Sequence, residues 1–80
     1  MEDKLTEEQF DDREIRHLKS GGKLFKRPTI YGVHYDICLI VQDGELWCYV
    51  VSTEPLHDYK GPAKGCSLPY IQEYVKDFYN

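Results

Sequence analysis

Apolar and polar residues alternate with a period of two through much of residues 34–51, and a helical period takes over from Leu68 to Phe78. The first pattern predicts β-strands and the second an amphipathic helix. Inside "CLIVQDGELWCYVV", residues 38–51, Asp43-Gly44 is a dipeptide favoured in two-residue hairpin turns. Such a turn pairs Gln42 with Glu45, Ile40 with Trp47 and Cys38 with Tyr49. One face of the hairpin then carries Tyr35, Ile37, Leu39, Val41, Leu46, Cys48 and Val50, without a charge among them. The other carries His34, Asp36, Cys38, Ile40, Gln42, Glu45, Trp47, Tyr49 and Val51, where polar groups mix with aromatic rings. The uncharged face is the predicted core. A three-residue turn with Gly44 as a bulge is the alternative. It shifts the pairing by one, sets Cys38 opposite Cys48 and leaves Glu45 among apolar neighbours, where an unpaired carboxylate is costly.

Helix signals bracket these strands. In "LTEEQF", Thr6 can cap a helix with Gln9 three residues on, and Leu5 can touch Phe10. The helix should run over about 7–19, acids early and bases late, until Gly21-Gly22 ends it. Its apolar face is thin, with Phe10, Ile15 and Leu18. "KLFKRPTIYGVHYDICLIV" reads as extended chain, with a short strand near 23–27 and a longer one near 30–42. Pro28 confines the first to an edge or turn, and Gly32 permits a bulge or bend. The third strand covers 45–53, and "EPLHDYKGPAKGCS" reads as a 14-residue loop. In "SLPYIQEYVKDFYN", Ser67 can cap a helix, Pro69 suits its first turn, and Leu68, Ile71, Tyr74, Val75 and Phe78 form one stripe. The expectation is one small α+β domain over residues 1–80, with residues 1–5 frayed. An N-terminal helix, a two- or three-stranded antiparallel sheet and a C-terminal helix packed on one sheet face make it up.

Composition narrows the function classes. Eighty residues allow one core, and 41% apolar with 30% charged residues suits a soluble globular chain. Net charge is −4, arranged in blocks of −5 over 1–14, +5 over 15–27, −5 over 28–59 and +1 over 60–80. No apolar run is long enough for a bilayer, and the first ten residues lack the apolar stretch of a signal peptide. Three cysteines form neither a disulfide framework nor a zinc spacing, which fits a reducing cytoplasm, that of a host if the protein is viral. No metal, cofactor or catalytic set is expected. His34, Asp36 and Cys38 point the same way along one strand, yet His34 and Cys38 stand about 13 Å apart there, too far to share a proton readily. Lys60, Lys64 and two glycines before the last helix form a phosphate-loop-like stretch, but not in the order of a Walker loop.

The mixed hairpin face is the expected contact surface. Trp47, Tyr49, Ile40 and Val51, beside His34 and with His57 and Tyr59 from the following loop, have the residue types that dominate interfaces. Either a partner protein or a second copy of the chain docks there, or the N-terminal helix covers it with Phe10, Ile15 and Leu18. Compact, acidic, tyrosine-rich chains of this kind are what phages and mobile elements use as inhibitors of host proteins. The alternative function is RNA or single-stranded nucleic-acid binding, with Lys19, Lys23, Lys26 and Arg27 on phosphates and tyrosines on bases. The order helix, three strands, helix resembles the double-stranded RNA-binding domain, and "YGVHYDICLIVQDGE" is similar to its central hairpin. That family opens its last helix with a lysine-rich serine motif, where this chain has "SLPYIQEYV".

Overall fold

The computed structural model describes residues 12–80. The order is α1 (Asp12–Lys19), β1 (Leu24–Lys26), β2 (Thr29–Ile30), β3 (Val33–Gln42), β4 (Glu45–Ser52), β5 (Tyr59–Pro62) and α2 (Pro69–Tyr79), with 3-10 turns at Pro55–His57 and Ala63–Gly65. This is a small α+β fold with five antiparallel strands, ordered β1-β3-β4-β5, and β2 pairs with the start of β3. Expectations resting on Leu5, Thr6, Gln9, Phe10 and the fraying of 1–5 lie outside the described residues.

The β3–β4 hairpin adopts the two-residue register, with Gln42 opposite Glu45, Ile40 opposite Trp47 and Cys38 opposite Tyr49. Asp43 and Gly44 both take left-handed backbone angles, φ 53° and 77°, whose twist matches that of paired strands. Tyr35, Ile37, Leu39, Leu46, Cys48 and Val50 are therefore buried together, with Val41 packed at their margin. Tyr70, Ile71, Tyr74 and Phe78 of α2 complete the cluster, and Leu18 of α1 joins it. Ile15 packs against the same cluster. The part of the N-terminal helix that is described thus lies on the core side with α2, which corrects the idea that Ile15 and Leu18 cover Trp47.

The sheet has more strands than the two or three anticipated, for two reasons. Residues 30–42 are not one strand, because Tyr31 and Gly32 form a second tight turn, with φ 53° and 78°. The chain before that turn runs back along β3 in one continuous register, Leu24 to Leu39 at one end and Ile30 to Val33 at the other. Pro28 separates β1 from β2 because it has no N–H to give, although its carbonyl accepts from Tyr35 N at 3.0 Å. The 54–67 segment is likewise not a plain loop. It holds β5, which pairs Tyr59 with Val50, Lys60 with Tyr49, Gly61 with Cys48 and Pro62 with Trp47. Glycine and proline disguise this strand, but an edge position tolerates both. At α2 the first cap position is Leu68 rather than Ser67, no side chain caps it, and Gln72 reaches back to the Cys66 carbonyl.

Gly21, at φ 100°, closes α1. Its N–H bonds Leu18 O at 3.0 Å while Gly22 N–H bonds His17 O at 2.9 Å, the paired bonds of a glycine-terminated helix. The His17 ring lies where a Gly22 side chain would be and bonds the Lys23 carbonyl at 2.9 Å. A further tie is the 2.5 Å ion pair between Glu14 and Lys26, whose side chain is buried. Glu14→Ala takes away the carboxylate that faces the buried Lys26 ammonium and should destabilise by about 2–4 kcal/mol. Adding Lys26→Met should restore much of that loss in urea unfolding, whereas equal losses in the single and double variants would sink the account. Tyr31 pays for a left-handed angle that asparagine tolerates better. Tyr31→Asn should therefore raise stability by about 0.5–1 kcal/mol, read as a higher melting temperature.

Candidate functional site

The face opposite the core is built in rows by the strand register. Phe25, Cys38, Tyr49 and Lys60 form one row across β1, β3, β4 and β5. Ile40, Trp47 and Pro62 form the next, Gln42 and Glu45 close one end, and Asp36 and Val51 stand near the other. Phe25 is 64% exposed and Val51 57%, while Ile40, Trp47 and Tyr49 are half-buried by one another and by their neighbours. Both helices of the described chain pack on the other side. Trp47 and the leucine-rich core thus face opposite ways, as the alternation requires.

Cations border the rings. Lys60 holds its ammonium 5.9 Å from the centre of the Tyr49 ring. Lys23 continues the alternation of β1 onto the same face and lies near enough to Cys38 to pull its thiol pKa down, against a larger upward push from burial. Tyr49 donates to Gln42 Oε1 at 3.1 Å, which fixes the phenol along the sheet. Arg27 bonds Asp36 at 2.7 Å, so one of the two acids in the end rows of the face is already engaged.

Other predicted residues go elsewhere. Tyr59 turns away from this face: its ring lies against Gly61 and Gly65, and its hydroxyl donates to Pro62 O at 2.8 Å. The two glycines of "YKGPAKG" therefore make room for a phenol. Lys64 sits 4.4 Å over the Tyr79 ring. His57 lies beyond the end of the sheet, edge-on to Tyr35 and 3.3 Å from Glu54. His34 remains exposed on the outer face, bonded to Thr29 Oγ1 at 2.9 Å. His34 and Asp36 are thus each bonded to a neighbouring side chain, Thr29 and Arg27, and not to Cys38. A shallow hollow near them is lined by Arg27, His34, Asp36, Val51 and Thr53. The basic segment scatters as well: Lys19 lies over Phe78, Lys26 is buried with Glu14, Arg27 pairs with Asp36, and Lys23 alone joins the aromatic rows.

Three members of the face, Phe25, Lys60 and Pro62, are not assigned to it by the sequence, which put Lys60 in a phosphate-loop-like stretch instead. The alternation Leu24, Phe25, Lys26 is too short to reveal its face without the pairing to β3. Also unforeseen is the meeting of Cys48 and Cys66 in the core. The two thiols lie close enough to interact, and their mutual hydrogen bonding lowers the Cys66 thiol against the upward push of burial while raising that of Cys48. Cys38, on the opposite face, shares nothing with them, and no disulfide joins any of the three. In the folded protein Cys38 should react with iodoacetamide severalfold more slowly than free cysteine, since less thiolate is present, and Cys48 and Cys66 should react only on unfolding. Peptide mapping after brief labelling near neutral pH would read this, and rapid labelling of Cys38 would contradict it.

Among the described residues no group of three His, Cys, Asp or Glu side chains could hold a metal ion. No described helix is long and apolar enough to cross a membrane. Compared with protein-family models, with curated proteins and with solved structures, the chain matches none. Among the described residues the geometry defines an α+β domain with both helices on one side of the sheet and an aromatic face on the other.

Proposed function

We propose that this chain is a small protein-binding module, without chemistry of its own, which docks a partner against the outer sheet face through Phe25, Ile40, Trp47, Tyr49 and Val51. The observation that carries the reading is the exposure of Phe25 and Val51 at either side of Trp47 and Tyr49 on a paired sheet. A contiguous apolar surface of a few hundred Å2 seldom stays bare on a monomer. Because the rings are held by strand pairing, less conformational freedom is lost on docking than a loop would lose. A module of this kind acts by occupying its target, and inhibition of a host protein, as phage and mobile-element products do, is the form we favour. A second copy of the chain is the nearest variant. Nucleic-acid binding has less support, because Lys19, Lys26 and Arg27 are each drawn to other partners.

Phe25→Ala and Trp47→Ala should each weaken binding to a partner captured by the wild-type chain by about 2 kcal/mol, roughly thirtyfold. Their melting temperatures should stay close to that of the wild type. Unchanged affinity, or loss of folding in Trp47→Ala, would end the proposal. Raising salt from about 50 to 200 mM should weaken binding only about a few-fold, as screening of a small number of edge charges would, whereas a nucleic-acid complex with many phosphate contacts would weaken by about a thousandfold.

A further inference from the structure

Resting on that docking reading, we infer that the partner presents an amphipathic α-helix whose apolar stripe is bordered on both sides by acidic residues. Width is the first argument. From β1 to β5 the face spans three strand spacings, about 14 Å. A helix with its side chains is about 10–12 Å across, so one helix lying along the strands fills the face and brings its flanks beneath the two edges. From the row of Asp36 and Val51 to the row of Gln42 and Glu45 is about 20 Å of strand, matched by about 14 helical residues.

Charge is the second argument. Lys23 stands on the β1 side and Lys60 on the β5 side, and neither has an ion-pair partner among the described residues. Lys60 reaches in from β5 and holds its ammonium over the Tyr49 ring, where a carboxylate on that flank of an incoming helix meets it. Of the two acids on the face, Asp36 is bonded to Arg27, and Glu45 stands in the end row beside the turn, so the lysines are the cations left to meet the flanks of the helix. A helix seated there turns a sheet with helices on one side into a sheet with helices on both, a standard layered arrangement. Single-stranded nucleic acid would find rings to stack on in Phe25, Trp47 and Tyr49, but two lysines give its backbone few phosphate contacts, and Asp36 and Glu45 stand in the end rows of the face.

The test uses three probes and the indole of Trp47, the only tryptophan of the chain. They are a helical peptide of about four turns with an apolar stripe flanked by glutamates, the same peptide with lysine for every glutamate, and oligothymidylate. The acidic peptide should bind and shift the indole signal, and should do so at least tenfold more tightly than the basic one. A Lys23→Glu, Lys60→Glu variant with an unchanged melting temperature should reverse the order. Equal binding of both peptides with the indole shifted would leave the docking reading standing and overturn the acidic flanks. Binding of neither peptide, or binding that leaves the indole unmoved, would overturn the inference. Oligothymidylate binding ahead of both peptides would overturn it together with the docking reading.

Discussion

Asp43 and Gly44, both with left-handed backbone angles, set which side chains of β3 and β4 share a face. Side chains alternate strictly along a strand, so a slip of one residue in that pairing would exchange the inner and outer sets of one strand. Glu45 would then enter the layer under α2, and Leu46 and Cys48 would leave it. The burial of Ile37, Leu39, Leu46, Cys48 and Val50 in one cluster, the docking of α2 upon it and the exposure of the aromatic rows all depend on this one turn.

The edges of the sheet repeat the logic on shorter strands. On one side β1 and β2 continue a single register past Pro28, tied to α1 by the pair of Glu14 with Lys26 and by the His17 ring on Gly22. On the other side β5 follows β4, and Tyr59 folds back over Gly61 and Gly65. The tyrosines do different work according to where each strand or helix aims them. Tyr35 and Tyr74 fill the core, Tyr79 accepts the Leu46 N–H at 3.0 Å, and Tyr49 faces outward. This amphipathic ring serves all these places because it offers apolar area with one polar atom.

A chain of this size has surface enough for one thick layer of core and not two. Both described helices are committed to the same side, where the uncharged strand residues lie. The outer side is consequently mixed in character, with polar residues at its ends and aromatic and aliphatic groups across its middle. That asymmetry is why the functional reading settles on the sheet and not on the connecting segments, whose lysines and glycines are used to pack Tyr59 and Tyr79.

The local code was enough for the α+β class, the central hairpin, the end of α1 at Gly21 and most of the stripe of α2, and it favoured the register and inward face that the strand pairing then decided. Each is set by short-range physics: a two-residue turn, a strand or helix period, or a glycine that takes a positive φ. Only the tertiary structure decided that Tyr31 and Gly32 turn the chain, that 59–62 is a strand, that Phe25 and Lys60 join Trp47 and Tyr49, and that Cys48 meets Cys66. Those short edge strands carry too few residues to show a period, and they become strands because β3 and β4 offer them unpaired backbone groups. Contacts between residues far apart in the chain are a property of how the layers pack, which no stretch of ten residues contains.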